Sequence, residues 1–557
     1  MNSAPHSLPS AGAPRRPWYR RLADRRPSPA AVFTLAVAAL LALPLLSVLA
    51  AFLRPSGLVW EHVLGVLVPR YFATTVQLGV SVAAMAAVFG AGAAWLVTMC
   101  RFPGRAVLEP LLVTPLALPS YVLAYVYLDF LGPAGPVAGL WRALGGEGTP
   151  VDVASTGGAA VLLAAALSPY VYVLTRGAFV QRSGTFHDIS RSLGVGPWAA
   201  FVRISLPLAR PAVVAGTALV VMETLADFGA VSLLGVPTFT TGIFRAWFSM
   251  GDATAAARLG GLLLLVVFAL VILERRARAG AAYHEARTSR GRTPFELRGW
   301  RAALAVAFCA LPVIVGFVLP VLRLIWLALR PGAWNTAVPL GPLVANSVFA
   351  GTVTASIAVV LALVMVYAAR QSRTRLPTVG VRAASMGYAV PGPVIAVGVL
   401  GPLAAVDGTV AEAMAGLGLD VGLLLTGTVG ALVFAYLVRF MTVSLGAIES
   451  GLAAVRPSLD DAAATLGIGF AMRLWRVHVP LAWPALASAF LLVAVDVVKE
   501  LPATLVLRPF DFDTLAVRTY DLVRDERLAE AAQPALVLVA IGLAPVLLLL
   551  RTLERRS

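Results

Sequence analysis

Long apolar runs separated by short polar interruptions cover almost the whole chain. They lie at about 30–53, 71–100, 109–131, 156–180, 212–236 and 257–273, and resume after a polar stretch at about 302–329, 344–369, 383–404, 421–444, 484–507 and 534–551. A helix rises 1.5 Å per residue, so about 20 apolar residues cross the roughly 30 Å hydrocarbon core of a bilayer. The pattern predicts an all-α polytopic membrane protein with about twelve transmembrane helices, six in each half. An even number of spans per half makes the two halves enter the membrane in the same direction, as parallel repeats about an axis along the membrane normal.

Composition agrees. Hydrophobic residues make up 59% and charged residues 13%, against about 25% charged in a soluble domain. The net charge of +16 raises the question of nucleic acid, but the basic residues punctuate the apolar runs and form no polar domain, so nucleic acid is excluded as a partner and the lipid bilayer takes its place. Cytoplasmic segments are the richer in Lys and Arg. With the amino terminus inside, the inner segments hold roughly three times as many Arg as the outer ones, which puts both termini in the cytoplasm. Six arginines precede the run at 30–53, which is too long for a signal-peptide core and reads as an uncleaved first span. Cys100 and Cys309 both fall inside predicted spans, so no disulfide framework is expected.

The two halves are copies. Asp188-Ile-Ser-Arg-Ser-Leu-Gly194, leading to Ile204-Ser-Leu-Pro207, matches Asp461-Ala462-Ala463-Ala-Thr-Leu-Gly467, leading to Val477-His-Val-Pro480, with ten of twenty-five positions identical at an offset of 273. Pro119 corresponds to Pro391, and the segment from Phe239 through Arg245 to Trp247 corresponds to that from Phe512 through Arg518 to Tyr520. The predicted organisation is a basic tail over 1–29, a first repeat over 30–285 with its polar loop at about 181–211, and a second over 286–557 with its loop at about 451–484. In each loop the acid favours a helix amino terminus, the Gly permits a sharp turn, and Leu206-Pro207 or Val479-Pro480 ends the loop before the next span. The charge count places both loops on the cytoplasmic side.

Charges inside the spans are the other candidate chemistry. Glu223 and Asp227 are four apart and share a helix face. Their counterparts are Asp496 and Glu500, and the chain's one lysine, Lys499, stands between them. A charge at the bilayer centre costs about 2.5–3.5 kcal/mol on insertion scales, so these groups face the bundle interior. They are either structural pairs, such as Asp496 with Lys499, or the lining of a translocation path. Arg245 and Arg518 are candidate contacts on the outer face, in a loop or a short re-entrant helix. The five histidines have no metal-ligand spacing, no nucleophile and base pair stands out, and no metal site or catalytic residue is expected. A phosphate-binding loop needs Gly-Lys-Ser/Thr, and Lys499 follows Val498 at membrane depth, so ATP cannot be bound here by that motif.

The loop spacing resembles the EAA loop of ABC importer permeases: acid-Ala-Ala, three residues, Gly, nine residues, then aliphatic-x-Leu-Pro. The second copy has Val479 where that pattern has Leu, and the first has Ile189 and Ser190 in place of the alanines. Met222-Glu-Thr-Leu-Ala-Asp-Phe-Gly229, Thr238-Phe-Thr-Thr-Gly-Ile-Phe-Arg-Ala-Trp247, Pro115-Leu-Ala-Leu-Pro-Ser-Tyr121 and Val498-Lys-Glu-Leu-Pro-Ala-Thr504 resemble the fused permeases of ferric iron importers, and the likeness runs from about residue 30 onward. It implies the type I importer fold, a bacterial inner-membrane location, a separate ATP-binding cassette ATPase dimer that binds ATP and Mg, and an extracytoplasmic substrate-binding protein. Asp188 and Asp461 would then contact the ATPase, and Gly194 and Gly467 would be the turns. Iron(III) prefers oxygen ligands, which the four acids and Tyr121, Tyr125 and Tyr388 could offer. Thiamine, phosphonate and polyamine permeases remain alternatives for cargo, and an ion-coupled secondary transporter for mechanism.

Overall fold

A computed structural model of the chain describes residues 28–55, 57–192, 197–278, 295–331, 333, 339–372, 374–417 and 422–554. Among them twelve helices are long and apolar enough to cross a membrane. Spans 1 to 6 are Pro29–Leu53, Val59–Met99, Ser120–Ala143, Thr156–Val180, Trp198–Ala226 and Ala253–Glu274. Spans 7 to 12 are Trp300–Ala328, Leu340–Gln371, Gly392–Ala415, Val429–Ala453, Phe470–Lys499 and Leu528–Leu547. The protein is an all-helical polytopic membrane protein of two six-span repeats. Among the described residues its strands are confined to a two-residue parallel pair, Cys100–Arg101 with Phe295–Glu296.

The repeats pack alike. Spans 2, 4 and 5 form one bundle and spans 8, 10 and 11 the corresponding one. Small residues let the helices approach closely, the usual basis of helix association in lipid. A Cβ at Gly90 of span 2 would fall 2.6 Å from Val171 Cβ of span 4, and one at Gly216 of span 5 would fall 2.7 Å from Val171 Cα. The first span of each repeat lies against the other repeat. Span 1 packs on span 9 and on the helix Leu376–Ala384, and span 7 packs on span 3 and on the helix Arg105–Leu111.

Spans 2, 5 and 11 begin at Val59, Trp198 and Phe470, more than ten residues earlier than the apolar pattern predicts. Pro207 and Pro480 were expected to close the loops before spans starting at 212 and 484, but both lie inside helices that start at Trp198 and Phe470. Proline lacks an N–H and crowds the carbonyl of the preceding turn. The chain absorbs this in widened π-helical turns at Phe201–Ser205 and Leu474–His478, each ending two residues before the proline. The same device precedes Pro69, at Val63–Leu67, and Pro320, at Ile314–Val318.

An ion pair ties span 7 to the first repeat. Arg323 Nε donates to Asp129 Oδ2 of span 3 at 2.6 Å, with side chains only 10% and 12% exposed, and its guanidinium lies 3.8 Å from the Trp326 ring centroid. Removing one partner of a buried pair leaves the other charge uncompensated. Asp129→Ala is expected to destabilise the protein by about 3 kcal/mol, read as a lower thermal unfolding midpoint in detergent, with D129A/R323M recovering part of the loss. A D129A protein as stable as the parent would show that the pair does not support this interface.

Candidate functional site

Spans 5 and 11 stop short of where their apolar sequence does, and each stops at an acid. Asp227 and Glu500 have extended backbones, with ψ of 132° and 125°, and each is followed by a short helix, Gly229–Leu233 or Pro502–Leu507. The expectation that Glu223 and Asp227 share one helix face is therefore corrected: the helix ends at Ala226 and Asp227 turns away from it. Asp227 accepts from the Val231 N–H at 3.1 Å and from the Ser120 hydroxyl. Glu500 accepts from the N–H groups of Ala503 and Thr504 at 2.9 and 3.0 Å, from the Thr504 hydroxyl at 2.7 Å, and from Arg439 Nη1 at 3.0 Å. The first turn of a helix leaves N–H groups without intrahelical partners, and these two carboxylates take them up.

All five residues predicted for the translocation path meet in one place. Glu223, Asp227, Asp496, Lys499 and Glu500 line a cavity of about 180 Å³ between the repeats. Residues equivalent under the duplication are paired in its lining, Glu223 with Asp496 and Asp227 with Glu500. Lys499 donates to the Leu116 carbonyl of the first repeat at 3.4 Å, and its charge, with those of Glu223 and Arg439, acts on Asp496. Arg439 was missed by sequence reasoning because the charge count assigned it to the inner side. It stands mid-way along span 10, and an arginine inside an apolar helix was itself the available signal. Of the tyrosines, Tyr121 lines the cavity, whereas Tyr125 donates to the Leu528 carbonyl at 2.6 Å. The side chain of Tyr388 lies outside the described residues. Among the described residues no group of three or more His, Cys, Asp or Glu is placed to hold a metal ion.

The second polar loop is a helix, Pro457–Thr465, closed by Gly467 at φ +72°. The Gly467 N–H reaches the Ala464 carbonyl at 3.0 Å, and that of Ile468 reaches Ala463 at 3.0 Å, so the turn needs the left-handed conformation that glycine adopts readily. Asp461 and Ala462 are exposed, as is Leu466 at 77%, while Ala463 faces inward. The buried acid is its neighbour Asp460, which the motif does not single out. Asp460 accepts from Arg370 Nε at 3.1 Å and lies 2.7 Å from His478 Nε2, while Arg370 also donates to the Val455 carbonyl at 2.7 Å. Burial raises the Asp460 carboxyl, but the hydrogen bond and charge of His478, then those of Arg370, outweigh it and hold the group below the ordinary carboxylate range. Val477 and Ile204 are half-buried in the widened turns, and Pro480 and Pro207 are exposed on the helices that follow. In the first copy Asp188 falls in the helix Thr156–Ser192, but its side chain, and Gly194 altogether, lie outside the described residues.

On the opposite face Thr238 and Thr241 form a capping box on the helix Phe239–Phe244, the short-helix alternative of the two expected. Arg245 follows it and is exposed. Arg518, in the helix Leu515–Arg524, is half-buried and its charge acts on Asp521.

Residues 86–278 match the family described as binding-protein-dependent transport system inner membrane component. The chain is 26% identical over 483 residues, 85% of its length and 88% of the relative's, to the Fe(3+)-transport system permease protein FbpB 2 of Haemophilus influenzae. It is 33% identical over 199 residues to the molybdenum transport system permease protein ModB of Escherichia coli, covering 34% of this chain and 85% of that protein. It is 29% identical over 211 residues to the sulfate transport system permease protein CysW of Escherichia coli, covering 36% of this chain and 71% of that protein.

Asp460→Asn is expected to speed amide hydrogen exchange across Pro457–Thr465 by roughly tenfold or more, because it removes the charge facing half-buried Arg370, whereas Asp461→Asn leaves exchange unchanged. The folded-state value of Asp460 is depressed, so its contribution is present at neutral pH and is lost as pH falls below about 4. Equal exchange in the two variants would show that Asp460 does not anchor the helix.

Proposed function

Since this chain belongs to the family of binding-protein-dependent transport system inner membrane components, we propose that it forms the complete transmembrane unit of an ATP-driven importer for iron(III). That it is a multi-pass permease of an ABC importer in the inner membrane follows from the family. The cargo, the partners and the residue roles are our reading. The observation that carries the cargo is the central cavity: two pairs of repeat-equivalent carboxylates line it, and carboxylate oxygens suit a hard cation. Supporting it is the likeness along most of the chain to a relative named for iron(III) transport.

In this reading an external binding protein delivers the ion to the outer face, near Arg245 and Arg518. A separate ATPase dimer, which binds ATP and Mg, docks on the two cytoplasmic loops through Asp188 and Asp461. Closure of that dimer moves the loop helices and switches the two repeats between outward-open and inward-open arrangements. Both chain termini lie in the cytoplasm. The exposed face of Pro457–Thr465, with Asp461, Ala462 and Leu466, supports the docking role, because apolar and acidic groups stand together there clear of the protein's own packing.

The double variant Asp188→Arg plus Asp461→Arg is expected to reach the membrane in normal amount while losing most of its co-purifying ATPase and its transport. Unchanged ATPase association and uptake would sink the docking assignment. For the cargo, Glu223→Gln with Asp496→Asn is expected to reduce radiolabelled iron(III) uptake by roughly tenfold or more at unchanged ATPase association. Uptake at the parent rate would remove those two acids from the path.

A further inference from the structure

The duplication makes the charge distribution of the cavity readable position by position. Its carboxylates are symmetric: Glu223 answers to Asp496, and Asp227 to Glu500. Its cations are not. Lys499 stands opposite Ala226 and Arg439 opposite Ala166, and all four of those residues line the cavity. Both positive charges were thus placed by one repeat in a lining whose acids both repeats share.

The two cations are held differently. Arg439 is fixed on Glu500 at 3.0 Å, and Glu500 is in turn saturated by the helix it caps. Asp227 is likewise occupied by Ser120 and Val231. These groups build the walls. Lys499 donates to a neutral carbonyl across the repeat boundary, Leu116, at 3.4 Å, a long hydrogen bond for an ammonium with three donors on a flexible four-carbon stem. Its charge acts on Asp496, the acid that pairs with Glu223 under the duplication. Tyr121 lines the same cavity, but its hydroxyl is buried away from solvent, so the oxygens offered to the space are those of the carboxylates.

We infer that Lys499 is a resident counter-cation for the pair Glu223 and Asp496, which cationic cargo must displace in order to bind between those two carboxylates. This rests on the cargo reading above and adds the regulation of that site. The lining carries four acidic side chains against two basic ones, so with its acids ionised it favours a multivalent cation over an anion. Lys499 lowers the affinity of the site when empty and repels the ion when filled, so cargo is held weakly enough to leave. The volume of about 180 Å³ gives room for an ion and several waters.

The test uses the purified full-length chain in phosphatidylcholine nanodiscs, titrated with terbium(III), a hard trivalent ion whose luminescence is sensitised by nearby tyrosine. Empty nanodiscs are the blank. Lys499→Met is expected to bind terbium(III) about tenfold more tightly than the parent, Lys499→Arg to stay within about threefold of it, and E223Q/D496N to bind about tenfold more weakly. Tyr121→Phe with Tyr170→Phe is expected to lose most of the sensitised emission, since both tyrosines line the cavity. If K499M binds no more tightly than the parent while E223Q/D496N loses binding, the counter-cation role is overturned and the cation cavity stands. If E223Q/D496N binds as the parent does, or no variant binds at all, both are overturned.

Discussion

A carboxylate at membrane depth persists only where something satisfies it, and in this protein the backbone does so. Asp227 and Glu500 sit where a long span stops and a short helix starts, and each takes up N–H groups that the new helix leaves without partners. The break and the acid require each other. An uninterrupted helix would turn the charge toward other helices or lipid, and a break without the acid would bury unpaired donors in a medium that cannot solvate them. Both spans break at the same repeat position, and residues of both breaks line one cavity between the repeats. Glu223 and Asp496, one turn earlier on the helices, line it as well.

Much of this was legible in the chain. The span count follows from run length and hydropathy, and the duplication from a constant offset, because both depend on features that tertiary packing does not override. The breaks were not legible. After Asp227 and Glu500 the sequence remains apolar, so a hydropathy reading runs the helix on to 236 or 507, and the four-residue spacing of Glu223 and Asp227 looks like one face. Interrupted backbone at this depth is tolerated because it borders a polar cavity, a condition set by residues from the other repeat. Arg439 was misplaced for a related reason: a charge count sorts residues by side of the membrane and has no category for one in the middle that is paired.

The helix Pro457–Thr465 shows the limit of motif matching. Asp460 and Asp461 are adjacent, and a spacing rule selects the second. The structure divides the labour between them, burying Asp460 against Arg370 and His478 and leaving Asp461 outside. The anchor is also a point where the copies have diverged, since the first repeat carries His187, Ser205 and Val97 where the second has Asp460, His478 and Arg370. A fused chain permits this: two halves on one polypeptide need not be identical, and the second has acquired both the charged anchor and the cations of the cavity.

One residue of the anchor and one of the cations lie on span 11. His478, which holds Asp460 of the loop helix, is in the first turns of span 11, and Lys499 is its last residue. The 21 residue steps from one to the other correspond to about 32 Å of helix at 1.5 Å per residue, so span 11 links the loop helix to the cavity. A displacement of the loop helix would, in the proposed mechanism, pass through the Asp460–His478 contact to the base of span 11. In the proposed mechanism the far end of the movement is the placement of Asp496 and Lys499. The distance between the cation and the two acids would then differ between the two arrangements of the transporter, and binding and release of cargo would be set by the same motion that opens one side and closes the other.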